Sequence, residues 1–192
     1  MKKNPQSSQF FYNFPITEIC TIKKSMVKKA YPSWGPSFKV SFSIKFNKFP
    51  RLKPPTNIIH FTNGGNCCNY GERIPAVYCK SFRTWQWFRR RRYIKLLFIS
   101  AVNEDGNFRK GYFPKGRNGF ALGKKYDITI QQSQIGGRYM YQVFISGKRV
   151  INVVNRSPKP FNDVKLYTSD PWYPAFTSDL GTISNLKIEN HE

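Results

Sequence analysis

Residues 37–46 read SFKVSFSIKF, and their side chains alternate without a break. Phe38, Val40, Phe42, Ile44 and Phe46 point one way; Lys39, Ser41, Ser43 and Lys45 point the other. Period two over this length is a half-buried strand, because a pleated backbone sends successive side chains to opposite faces. The pattern recurs. Tyr126, Ile128 and Ile130 alternate with Asp127, Thr129 and Gln131, and Tyr139, Tyr141, Val143 and Ile145 form a further set. Shorter β-branched or aromatic runs lie at 57–62, 74–78, 94–100, 150–154, 164–167 and 182–188.

Turn signals separate these runs: Gly64-Gly65, Asp105-Gly106, Gly136-Gly137, Ser146-Gly147 and Asp170-Pro171. Two of them flank 139–145, so residues 127–154 are expected to form a three-strand meander. No amphipathic helical stretch of useful length is found. Many short strands with regular turns predict an all-β fold, a two-sheet antiparallel sandwich. Residues 1–16 read as a loose N-terminal arm and residues 17–192 as a single lectin-like sandwich domain.

The order of pieces resembles the concanavalin A-like lectin and glucanase sandwich, in its laminin-G-like, jelly-roll form. The likeness rests on SFKVSFSIKF, NIIHFT, LLFISAVNEDGNF, KKYDITIQQS, YMYQVFISGKRV and the closing LGTISNLKIEN, and spans residues 37–190. Its spacing motifs fall on Tyr126, Ile128 and Ile130, on Val143, Ile145, Gly147 and Val150, and on Gly181, Ile183 and Leu186. The resemblance implies a closing strand that returns to pair near the first. The glucanases of that group carry Glu-x-Asp-x-x-Glu, with two carboxylates flanking the bond to be cut; no acids of this chain make that spacing. Galectins use His-x-Asn-x-Arg. Here His60-Phe61-Thr62-Asn63 places the Asn one position late and lacks the Arg.

Composition points to a partner. The 192 residues are 40% hydrophobic, enough for a core, and carry 32 Lys and Arg against 10 Asp and Glu, a net charge of +22. Such an excess attracts polyanions: nucleic acid, acidic glycan or an anionic membrane. No stretch approaches the roughly 18 apolar residues of a membrane span. The first residues, MKKNPQSSQFFYNFP, begin with two lysines, but polar residues follow where a leader has its apolar region, so no signal peptide is visible.

The charge concentrates in TWQWFRRRRYIKLLF, residues 84–98. Residues 81–92 are expected to be a loop before a core strand, with Trp85 and Trp87 interleaved with Arg89, Arg90, Arg91 and Arg92. It reads as a solvated charged loop, an anion-binding patch, a dibasic cleavage site or a nuclear address. Basic pairs spread along the chain favour the patch, since Arg offers forked donors to sulfate or phosphate and Trp stacks on rings. SDPWYPAF is a second candidate. Pro171 and Pro174 stiffen a loop on which Trp172 and Tyr173 either stack against a sugar or plug the sandwich.

Catalytic machinery is sparse. His60 is read as an ordinary strand residue rather than half of a Cys–His dyad. Asn103, Glu104, Asp105 and Asn107 offer oxygens to calcium, but NEDGN is first a good turn, and no cofactor is expected. Cys20, Cys67, Cys68 and Cys79 permit three pairings, with disulfides favoured over free thiols. Asn155-Arg156-Ser157 is a glycosylation acceptor, disfavoured by Pro158.

The expected function is a non-catalytic, secreted or extracellular module binding a glycan or glycosaminoglycan through basic and aromatic loops. The alternatives are a nucleic-acid or anionic-membrane binder, an adhesive domain with a protein partner, and a glycoside hydrolase.

Overall fold

The computed structural model describes residues 10–13, 27–67, 69–86, 89–101, 108–114 and 119–191. One sheet, A, contains β1 (Phe10–Asn13), β3 (Ser37–Phe46), β8 (Lys125–Ile135), β9 (Arg138–Ile145), β10 (Lys148–Asn155) and β12 (Gly181–His191). The other, B, contains β2 (Val27–Trp34), β4 (Thr56–Thr62), β5 (Ala76–Gln86), β6 (Arg89–Ala101), β7 (Phe108–Phe113) and β11 (Phe161–Tyr167). Their orders are β1-β12-β3-β8-β9-β10 and β2-β11-β4-β5-β6-β7. Every pairing between these strands is antiparallel. This is the all-β, two-sheet sandwich expected from the alternation. No described helix is long and apolar enough to cross a membrane.

The teeth of β3 all face inward. Phe38, Val40, Phe42, Ile44 and Phe46 are buried, and so is Ile128 opposite Phe42. They meet Ile59, Phe61, Val77, Leu96, Phe98 and Leu166 of sheet B in one continuous core. Each such side chain contributes roughly 1.5–3 kcal/mol relative to exposure. At one end Trp34 is enclosed by Tyr31, Phe38 and Phe61, with ring centroids 4.9–5.5 Å away.

The meander forms as read, with β8, β9 and β10 adjacent in sheet A. Its links are the two-residue turns Gly136-Gly137 and Ser146-Gly147, whose four φ angles are all positive. That is the turn class whose twist suits a hairpin, and glycine or a small polar residue adopts it at least cost. The closing strand β12 returns between β1 and β3. Within the segment read as a loose arm, Phe10–Asn13 pairs with β12.

One expectation is corrected. Residues 81–92 are not a loop before a strand: β5 and β6 pair in unbroken register from Ala76 opposite Ile99 to Gln86 opposite Arg89. Arg89, Arg90, Arg91 and Arg92 are strand residues. Their stretch looked like a loop because both faces of this projecting hairpin are wet, which erases the apolar alternation that marks a half-buried strand.

Candidate functional site

The polypeptide after β11 turns over the outer face of sheet B. Ser169 takes a left-handed φ of 99°, an unfavourable state for a residue with a Cβ. It is held there from below: Asn57 Oδ1 accepts the backbone N–H groups of Ser169 and Asp170, at 3.2 and 2.9 Å. Asp170 is fully buried. Its Oδ1 accepts the backbone N–H groups of Trp172 and Tyr173, at 3.2 and 2.9 Å. Its Oδ2 lies 2.9 Å from His60 Nδ1 and 3.5 Å from the Tyr78 hydroxyl.

His60 is equally buried. Its Nε2 stands 2.6 Å from the Glu72 carbonyl oxygen, which can only accept, so Nε2 donates. Nδ1 and the Asp170 carboxylate therefore share a proton across an internal pair. Burial pushes the Tyr78 hydroxyl far above its usual range, and the Asp170 charge adds to this against the opposing pull of Arg73. Tyr78 thus stays a phenol and donates to Asp170. Arg73 lies over the Tyr78 ring at 5.5 Å and reaches the Tyr173 hydroxyl at 3.4 Å.

This polar knot fixes two rings. Trp172 packs edge-on against His60 and Tyr167, with centroids 5.5 and 5.9 Å apart, and remains 39% exposed. Tyr173 packs against Tyr78 at 4.9 Å. Trp172 is therefore no plug of the sandwich. It stands on the outer face of sheet B with a ring open to water.

Beside it opens a cleft of about 630 Å³, lined by Phe49, Arg51, Thr56, Arg92, Trp172, Tyr173 and Asp179, among others. Arg51 is positioned because its carbonyl accepts the Ser81 N–H of β5 at 3.1 Å. Arg92 extends from β6 over the Phe49 ring at 4.9 Å. Asp179 accepts the Thr177 hydroxyl and lies 3.7 Å from Lys48 Nζ. The Thr177 hydrogen bond, aided by the Lys48 charge, holds its carboxyl below the usual range, so it is an acceptor at neutral pH. Two arginines, three aromatic residues and one aspartate thus line one hollow, a set that can stack a ring, clamp an anionic group and accept hydroxyl protons.

The two sequence candidates converge here in part. Trp172, Tyr173 and Arg92 line the cleft. Trp85, Arg89, Arg90 and Arg91 lie farther along the hairpin, outside the cleft lining. Trp87 lies outside the described residues, as does the NEDGN turn with its calcium oxygens. Among the described residues no cluster of His, Cys, Asp and Glu is placed to hold a metal. Sequence reading missed Phe49, Arg51 and Asp179, and it did not join His60 to Asp170, 110 positions away.

Two further assignments are corrected. Cys79 is a free thiol buried in the core, and burial pushes its ionisation far up, so it is neither a disulfide partner nor a nucleophile. Cys67 is disulfide-bonded; Cys20 and Cys68 lie outside the described residues. Asn155 is buried, and its Nδ2, the atom a glycan would occupy, donates to Gln132 Oε1 at 2.9 Å. In the folded chain that acceptor is closed.

No family model matches the chain, and no curated protein matches it. Solved structures do. A family-66 carbohydrate-binding module from Bacillus subtilis matches at 8% identity and TM-score 0.40, over 82% of this chain and 77% of that one. The family-40 carbohydrate-binding module of the Ruminococcus gnavus IT-sialidase, bound to α2,6-sialyllactose, matches at 8% identity and TM-score 0.47, over 86% and 89%. An alginate lyase from Corynebacterium matches at 16% identity and TM-score 0.43, over 83% of this chain but only 62% of that one. Sheep galectin-11 is also among the matches, at 14% identity and TM-score 0.38, over 88% of this chain and 99% of that one. At these identities and TM-scores the likeness assigns no chemistry to this chain.

Proposed function

We propose that this chain is a non-catalytic recognition module that binds a glycan, with the cleft between Trp172, Tyr173, Arg51 and Arg92 as its site. The carrying observation is that Trp172, which is 39% exposed, Tyr173, Arg51 and Arg92 all line one hollow of about 630 Å³. A sugar ring has an apolar face for Trp172 and hydroxyls for Asp179. An acidic substituent on that sugar suits the arginine fork. The loop bearing the rings is fixed in advance by Asp170 and Asn57, so little freedom is lost on binding.

A catalytic role has less support. The His60–Asp170 pair is fully buried under Trp172 and its hydrogen bonds are already used within the fold, whereas a general base must reach a substrate proton. A glycan ligand and the cationic surface both suit a place outside the cell.

The test is retention on immobilised heparin and binding to an array of neutral and acidic glycans, beside a control protein of matched charge. Binding above the control, reduced at least tenfold in Trp172→Ala, is expected. No binding above the control on either surface would end the proposal.

A further inference from the structure

Residues 80–95 hold seven cations and no carboxylate. In the packed half of the β5–β6 hairpin, the face toward sheet A carries Val77, Cys79, Leu96 and Phe98, all in the core. The last buried rung on that face is Ser81 opposite Ile94. Past it the same face presents Arg83 opposite Arg92 and then Trp85 opposite Arg90, four exposed side chains. Arg92 is also a wall of the cleft. Successive rungs on one face stand about 6.8 Å apart, two residues along the strand. The cleft is therefore continued by a row of cations and an indole.

This row conflicts with hairpin stability. Like charges directly opposite each other destabilise an antiparallel pair, and Arg83 faces Arg92. The next rung is eased by the Arg90 guanidinium lying 4.9 Å over the ring of Trp85, a residue 65% exposed. A repulsive rung on an exposed hairpin, in line with an anion-suited cleft, is resolved when a ligand brings the negative charge.

Resting on the glycan-binding reading of the cleft, we infer that the ligand is a linear acidic polysaccharide. One sugar sits in the cleft and the following acidic units run along Arg92, Arg83 and Arg90, with Trp85 as a second stacking surface. Asp179 lines the cleft and offers a carboxylate to the hydroxyls of the first sugar; a nucleic acid, which meets the same cations, is the competing ligand in the test. The opposite face of the hairpin supplies an internal control: Lys80 stands opposite Lys95 there, above the stacked rings of Phe82 and Tyr93.

The experiment is fluorescence anisotropy on the full chain with labelled heparin tetrasaccharide and dodecasaccharide. The salt is about 0.15 M, so that only near charges count. The dodecasaccharide is expected to bind at least tenfold tighter, because its later units bind at high effective concentration. Arg83→Gln with Arg90→Gln should bring that ratio to about two, while Lys80→Gln with Lys95→Gln, which removes equal charge from the other face, leaves it near the wild-type value. Equal affinity for the two lengths, with Trp172→Ala still abolishing both, overturns the row and leaves the cleft standing. Equal losses from the two double variants overturn it in favour of unspecific charge. Displacement of the dodecasaccharide by an oligothymidylate of equal charge overturns it in favour of nucleic acid. Absence of binding to either heparin length overturns the acidic polysaccharide, and binding to the neutral glycans of the array then decides whether the cleft reading stands.

Discussion

Two regions of this molecule mix cations with aromatic rings, and they are built in opposite ways. The loop that carries Trp172 and Tyr173 is tied to buried partners: Asp170 alone engages His60, Tyr78 and two backbone N–H groups. The hairpin that carries Trp85 and Arg83 is held by its backbone ladder, with a like-charge rung across it. The first region stores its order in satisfied polar contacts. The second leaves an electrostatic deficit at the surface. A rigid ring platform beside an unneutralised charge row is what a stacking-plus-anion site requires, and neither region supplies both parts.

Cutting the first region's pin should have the largest effect. Asp170→Ala leaves His60, the Tyr78 hydroxyl and the backbone N–H groups of Trp172 and Tyr173 without their shared partner, and a loss of about 3–5 kcal/mol is expected in urea unfolding, since each buried polar group left unsatisfied costs about 1–3 kcal/mol. Tryptophan fluorescence should shift to the red as Trp172 loosens. A loss below ~1 kcal/mol would show that the knot is ornamental. The comparison then rests on the hairpin's own footing, which is Gly119. A Cβ there would stand 2.8 and 2.9 Å from the Ile94 backbone and 2.6 Å from Tyr93 Cβ. Gly119→Ala is expected to cost about 1–3 kcal/mol through overpacking, with weaker amide protection along the inner hairpin as the readout.

The smallest effect has the most informative sign. Arg83→Gln should stabilise the free protein by about 0.2–1 kcal/mol at low ionic strength. The gain should fade as salt shortens the screening length, while affinity for an acidic polysaccharide falls. A destabilised Arg83→Gln protein would mean that the rung is not repulsive, and the contrast between the two regions would collapse.

What could be read without coordinates followed one physical rule. Wherever a strand has one wet and one dry face, as in β3 and β8, the pleat writes its period into the sequence, and those strands were legible. The glycine turns made the β8–β9–β10 meander legible as well. The rule fails where both faces share one fate. β4 has every residue buried, including Asn57, His60 and Thr62, because the loop after β11 covers its outer face, so residues 57–62 were legible as a short β-branched and aromatic run but not by alternation. The outer hairpin has both faces wet, so Arg89 to Arg92 were read as a loop. Within the site, Trp172, Tyr173 and Arg92 were marked by composition; Arg51 and Asp179 carried no mark, since a lone arginine or aspartate in a loop has no local pattern.

The sequence alone determined that extended segments would pair into two sheets and that the exterior would be cationic, because side-chain alternation and net charge are properties of the chain before it folds. Only the tertiary structure decided that residues 49–51, 92, 172–175, 177 and 179 line one hollow and that His60 meets Asp170. Strand order brings β11, β4 and β5 side by side, and a contact between positions a hundred residues apart depends on that order and on no local feature of either end.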